Sequence, residues 1–204
     1  DKIKTISITG ITSIGSYAFY NCTEFTTIEI PTSVSSIGDN AFISCSKLVT
    51  ITLKEGLQTI GKNAFESTKI ETITIPSTVS SIGQYAFMYV DDFATLDIPN
   101  SVVTIEDNAF NQASGVTTLT VGTGVATLGY AAFANMPRLV TVNYNAILVA
   151  DLTEKRDIFY HGGTSGTGIT LTIGNQVTRI PSYLFYPRID DLAACSPKIK
   201  TLQF

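Results

Sequence analysis

The stretch Thr59–Val79, "TIGKNAFESTKIETITIPSTV", decides the fold, because it does not occur once. Its two elements, I-G-x-x-A-F and then T-I-x-I, return every 22 or 23 residues along most of the chain. The recurring phenylalanine falls at Phe19, Phe42, Phe65, Phe87, Phe110 and Phe133, with looser copies at Phe159 and Phe185. The strand motif starts at Thr5, Thr27, Thr50, Thr72, Thr95, Thr118, Thr141, Thr170 and Thr201. Self-similarity at this period marks a solenoid, in which each unit buries its apolar face only against its neighbours.

In "TITI" (Thr72–Ile75) alternation is strict, so Ile73 and Ile75 face one way and Thr72 and Thr74 the other. Nine such strands stacked in parallel predict a ribbon about 40 Å long, at roughly 4.8 Å per strand. Its inner face is Ile, Leu and Val, and its outer face is mostly threonine, of which the chain has 29. Proline or glycine after the strand (Pro31, Pro76, Pro99, Gly122, Gly174) ends the ladder. A second apolar pair follows, such as Val34 and Ile37. Gly15, Gly38, Gly61, Gly83 and Gly129 are then expected at a bend with positive φ. The "NAF" or "YAF" segment is expected to begin one helical turn, with Ala and Phe directed inward.

At these residues the sequence resembles the BspA-type, or Treponema-pallidum-type, leucine-rich repeats. Their pattern is roughly L-x-x-I-x-I-P-x-x-V-x-x-I-G-x-x-A-F-x-x-C, and "FTTIEIPTSVSSIGDNAFISC" (Phe25–Cys45) follows it nearly position for position. The likeness is close over 1–144 and loose over 169–204. It implies an α/β solenoid forming one domain over 1–204: a right-handed superhelix with a parallel sheet on the concave side and short helical or turn segments on the convex side. Regular repeats would occupy 1–144 and irregular ones 145–204. The resemblance also implies export to a bacterial surface and, for some members, adhesion to host proteins. It carries no shared catalytic residues. The terminal strand residues "TLQF" suggest that further sequence flanks the chain.

Composition narrows the function classes. Only 15% of residues are charged, the formal net charge is −4, and Lys and Arg are not clustered, which argues against nucleic acid and anionic membranes. No apolar run approaches 18 residues. His161 lies in "YHGGTSGTG", but there is no G-x-S-x-G nucleophile motif and no G-K-[ST] phosphate loop. His161 therefore reads as part of a loop inserted into a repeat. Cys22 and Cys45 share a slot that Val90, Ala113 and Met136 fill elsewhere, which makes them buried thiols, although adjacent coils would also let them bridge. Asp91–Asp92 and Asp190–Asp191 read as solvated turns. The expectation is a monomeric, non-catalytic module with no cofactor or metal, whose partner is a host or cell-surface protein; the alternative is a passive structural spacer in a larger surface protein.

Three surfaces are candidates for that partner. On the concave face the second outward position reads Glu29, Thr52, Thr74, Asp97, Thr120 and Asn143, a polar row without aromatics. Eight of the nine tyrosines instead flank the A-F turn, and Tyr17, Tyr20, Tyr85, Tyr89 and Tyr130 form a candidate convex strip. In the irregular region, where strand spacing jumps to 29 and 31, Lys155, Arg156 and His161 gather in a candidate loop.

Overall fold

A computed structural model of the chain describes residues 6–152, 157–185 and 199–204. Numbered along the chain, its longer strands are β2 (Thr27–Ile30), β4 (Thr50–Leu53), β7 (Thr95–Ile98), β9 (Thr118–Val121), β11 (Thr141–Tyr144), β12 (Ile169–Ile173) and β13 (Ile199–Gln203). Between them lie two-residue strands β1 (Ser13–Ile14), β3 (Ser36–Ile37), β5 (Thr59–Ile60), β6 (Ser81–Ile82), β8 (Thr104–Ile105) and β10 (Thr127–Leu128). All pairing is parallel and joins each coil to the next. The second apolar pair expected after each strand is thus a sheet of its own, ordered β1-β3-β5-β6-β8-β10. Thr27↔Thr50 and Thr118↔Thr141 show the register: equivalent repeat positions sit side by side.

The inward residues of every coil meet in one core cluster. At its centre the eight phenylalanines form an unbroken stack, with successive ring centroids 5.0 to 5.7 Å apart and planes within 24° of parallel. Each fully buried ring contributes about 1.5–3 kcal/mol by removal from water. Phe25 packs edge-on against Phe19 and Phe42. Alternation holds along the ribbon as far as β12, and β2 runs exposed, buried, exposed, buried, whereas β13 is exposed throughout.

Three sequence expectations need correction. The ribbon is not continuous: β2–β4 and β7 through β13 are separate sheets, and Thr72 makes only an isolated bridge to Thr50. The reason is chain length. Seven residues separate Phe65 from Thr72, where eight separate Phe42 from Thr50. Regular coils send two successive amides to one carbonyl, as Thr117 and Thr118 do to Ala94. Here Lys69 and Glu71 bond separately to Leu48 and Val49, and Ile73 ends up only partly buried.

The helical turn is also absent: among the described residues there are no helices, which corrects the α/β label to a parallel β-solenoid. Instead the A-F segment is a chain of three tight turns. Ala18 donates to Gly15, Tyr20 to Tyr17 and Cys22 to Phe19, while the intervening amides of Tyr17, Phe19 and Asn21 donate to Asp39, Ala41 and Ile43 of the next coil. Alternate N–H groups are thus committed to a neighbouring coil, and a helix would need them all internally.

The bend glycines, finally, do not have positive φ; among the described residues the glycines that do are Gly10, Gly56, Gly163 and Gly168. Gly38 and Gly129 are required by close approach. A Cβ on Gly38 would lie 2.6 Å from the Ser16 nitrogen, and one on Gly129 would lie 2.3 Å from the Asp107 nitrogen. Positive φ falls two residues later instead.

Candidate functional site

Among the described residues fifteen non-glycine residues have positive φ, and all fall in two slots of the turn face, four residues apart. The first holds Tyr17, Asn40, Asn63, Tyr85, Asn108, Ala131, Asp157 and Tyr183. The second holds Asn21, Ser44, Ser67, Tyr89, Gln112, Asn135 and His161. Asparagine tolerates this region best among L residues, whereas a bulky ring there is an outlier. The coils that carry tyrosine therefore forgo the easier residue.

Most of those rings face solvent. Tyr17 is 59% and Tyr20 55% exposed, and the pair meets edge-on at 5.9 Å. Tyr89, Tyr130 and Tyr183 are also exposed, and the Tyr130 hydroxyl donates to Asp157 Oδ2 at 3.1 Å. Tyr85 differs: it is half-buried, with Lys62 Nζ 6.0 Å from its ring centre. Of the five tyrosines of the expected strip, Tyr17 and Tyr20 meet ring to ring, whereas Tyr89 and Tyr130 lie on coils two apart.

His161 is not in an inserted loop. It occupies the second slot of its coil, two residues after the stacked Phe159, where Asn135 stands two after Phe133. Gly162 and Gly163 are buried, and their amides bond to Phe159 and Met136, so they also belong to the coil. The looped-out part is Ser165–Thr167, all exposed, anchored by Ser165 N donating to Pro137 O at 2.9 Å. Counting from phenylalanine rather than from strand would have placed His161 in the sequence. Lys155 and Arg156 lie outside the described residues, as do Thr5, Tyr186, Asp190, Asp191 and Cys195.

A line of side-chain hydrogen bonds crosses three coils to reach His161. Asn111 Nδ2 donates to Asn108 Oδ1 at 2.7 Å, and Asn135 Nδ2 donates to Asn111 Oδ1 at 2.8 Å. Asn135 Oδ1 then meets His161 Nδ1 at 2.9 Å. Because this amide oxygen can only accept, Nδ1 carries the proton and Nε2 of the neutral ring is an acceptor. Tyr160 stacks on the imidazole, centroids 4.1 Å apart. Beside this line lies an open groove of about 420 Å³, lined by Asp91, Gln112, Ser114, Asn135, Pro137, His161 and Thr164.

The ribbon face is less organised. Glu29, Thr74 and Asp97 are exposed and Thr52, Thr120 and Asn143 half-buried, so the row continues across the gap in hydrogen bonding at Thr72. Glu29 pairs with Lys54 at 3.5 Å, and Asn143 Nδ2 donates to Thr120 Oγ1 at 3.4 Å. Among the described residues, aromatic side chains do not enter its outward positions.

Several carboxylates hold coil to coil rather than merely meeting water. Asp39, Asp107 and Asp151 accept the backbone N–H of Lys62, Tyr130 and Ser182. Asp91 Oδ1 accepts from the Ser114 hydroxyl at 2.9 Å, and Asp92 pairs with Lys69 at 3.5 Å. The amide of Ser182, with Arg179 beside it, draws the Asp151 carboxyl below its ordinary value. Cys22 and Cys45 are free, buried thiols. Burial pushes Cys45 up to about 12, and its Sγ lies 3.1 Å from the Phe19 carbonyl oxygen. The third member of the slot left unread in the sequence, Thr68, is wholly buried and satisfies its hydroxyl on Phe65 O at 2.8 Å. Among the described residues no three His, Cys, Asp or Glu side chains are placed to share a metal, and no helix is long and apolar enough to cross a membrane.

No curated protein matches this chain in sequence. Solved structures do match in fold. A leucine-rich repeat protein from Bacteroides ovatus aligns over 97% of this chain and 66% of its own, with TM-score 0.62 and 18% identity. The T. pallidum leucine-rich repeat protein aligns over 87% of this chain and 71% of its own, with TM-score 0.57 and 21% identity. The chain thus spans about two thirds of those proteins. Residues 12–140 match six copies of the BspA type leucine rich repeat region. With the stacked A-F phenylalanines and the parallel T-φ-x-φ ribbon already in place, the chain belongs to the BspA-type leucine-rich-repeat family.

Proposed function

We propose that this solenoid is a non-catalytic binding module of an exported surface protein, and that it holds a protein partner through the tyrosines of its turn face. The observation that carries this reading is the exposure of Tyr17, Tyr20 and Tyr89 on a rigid scaffold, two of them in backbone slots that favour asparagine or serine. Exposed tyrosine gives large contact area and a hydroxyl at low cost in side-chain entropy. Inter-coil bonds at every turn fix the spacing of these rings in advance, so little ordering remains on association. Family membership supports the same class of role, since stacked repeats offer extended surfaces rather than pockets.

A second reading, a passive spacer, is favoured by the unbroken phenylalanine stack, which makes a stiff rod. The test is capture from host matrix and mucin extracts, using the parent chain and a triple variant. Tyr17→Asn, Tyr20→Ser and Tyr89→Ser place residues already seen in, or compatible with, those positions. Loss of a captured protein at unchanged melting temperature supports the binding reading. Equal capture by both chains, or none by either, removes the tyrosine surface and leaves the spacer.

A further inference from the structure

The groove beside His161 is confined to the four coils of Phe87, Phe110, Phe133 and Phe159. We propose that it is a binding site for a neutral, extended oligosaccharide.

Three observations converge. The first is the lining. Asp91, Gln112, Ser114, Pro137, His161 and Thr164 supply a carboxylate, an amide, hydroxyls and an imidazole, with no Lys or Arg. Asp91 uses only Oδ1 toward Ser114, His161 uses only Nδ1 toward Asn135, and the Gln112 amide makes no hydrogen bond within the described residues. The unspent groups are mostly acceptors, which suits a ligand rich in hydroxyl donors and disfavours an anion. Pro137 and the His161 ring, which is backed by Tyr160, add apolar faces of the kind on which a sugar ring rests.

The second is spacing. Gln112, Asn135 and His161 occupy one slot on successive coils, tied by amides bonding from each coil to the next. The row therefore advances by roughly 5 Å per coil. An extended peptide presents same-face side chains about every 6.6 Å and falls out of step within two coils. Successive pyranose rings of an extended β-1,4-linked glycan advance by nearly the coil step, so a ring falls at each coil and the same ring face returns at every second one. The cavity of about 420 Å³ lies in the range of small-ligand sites.

The third is construction. The residues inserted after Gly163 fold back onto the preceding coil through Ser165 N and Pro137 O, and they bring Thr164 to the groove as one wall. The amide line Asn108–Asn111–Asn135 orients the histidine ring, Asn111 being buried. Tyr89 flanks this row, in the slot of Gln112 one coil earlier, whereas Tyr17 and Tyr20 lie three coils from the groove, so loss on changing Tyr17 and Tyr20 alone and loss on changing Gln112 alone distinguish the two assignments.

The test is titration of the labelled chain with cellotriose and with triacetylchitotriose, followed on the Gln112 side-chain amide and the His161 ring by magnetic resonance. N-acetylglucosamine serves as the length control, sialyllactose as the anionic control and an uncharged hexapeptide as the class control. At least one trisaccharide should shift both signals saturably, and the monosaccharide should bind at least about tenfold more weakly. Gln112→Ser, which installs the residue found at Ser44 and Ser67, should weaken trisaccharide binding by about tenfold without changing the melting temperature; Tyr17→Asn should leave it unchanged. The proposal is overturned if neither trisaccharide moves those signals, if the peptide or sialyllactose binds more tightly, or if Gln112→Ser binds as well as the parent.

Discussion

Apart from the connector from Phe185 to Thr201, most of which lies outside the described residues, two connectors between phenylalanine and ribbon depart from the regular eight residues, and they behave oppositely. Between Phe65 and Thr72 the chain is one residue short, and the ribbon loses its ladder there. Between Phe159 and Thr170 it spans eleven residues, yet β11 and β12 pair at four consecutive positions. A surplus is looped into solvent at Ser165–Thr167, where closure costs little. A deficit has nowhere to be absorbed, because both ends are fixed by stacked coils. Repeat length in this fold therefore has a sharp lower bound and a soft upper one.

The largest expected effect tests what the two coils share. The ring stack runs through both, so Phe65→Ala and Phe159→Ala should each cost about 3–5 kcal/mol, read by urea unfolding. A much smaller loss at Phe65 would show that the short coil is already loosely packed. Alkaline pH comes next. Burial raises the folded Cys45 thiol from about 9 to about 12, so its contribution is complete below pH 9 and is lost as pH climbs toward 12. The buried Tyr144 hydroxyl, also raised by burial and without a hydrogen-bond partner, adds to the loss above its ordinary value. The unfolding midpoint should accordingly fall between pH 8 and pH 10.5, and a flat profile would refute the burial of these groups.

Gly163→Ala probes the long connector at its fixed end. Its φ is +66°, and a Cβ would meet Ile169 Cγ1 at 2.7 Å and Leu139 O at 2.9 Å, so a loss of about 2 kcal/mol is expected. Inserting one serine between Thr68 and Lys69 should restore the ladder at Thr72–Ile75, adding about 1 kcal/mol and slowing hydrogen exchange at Ile73 and Ile75. Unchanged exchange would mean that connector length does not cause the gap. Deleting Ser165–Thr167 returns the long connector to eight residues and should shift stability by less than about 1 kcal/mol. A cooperative collapse would show that these residues are part of the coil.

Much of this was legible in the residues. Strict alternation in "TIEI" and "TLTV" fixed which side chains enter the core, and the period of Phe19 to Phe185 fixed their stacking. The turn face was misread because Ala-Phe beside polar residues suits a helix as well as a chain of turns. The distinguishing signal was asparagine: Asn21, Asn40, Asn63, Asn108 and Asn135 mark slots that no right-handed helix can contain. The bend glycines were assigned to φ when their task is to let coils approach, which is a property of the neighbouring chain and not of local sequence. The groove was missed for the same reason. Its walls come from four coils, and Asp91 and His161 are 70 positions apart.

The alternation of turn bonds has a mechanical consequence. Every second amide on that face points along the stacking axis toward the next coil, as do the ribbon ladders. Tension between the two ends of the rod would load these bonds lengthwise and in series, so layers would peel away singly at low force instead of resisting together in shear. Under steady pull the molecule would lengthen in steps of one repeat, each of 22 or 23 residues through the regular part of the chain.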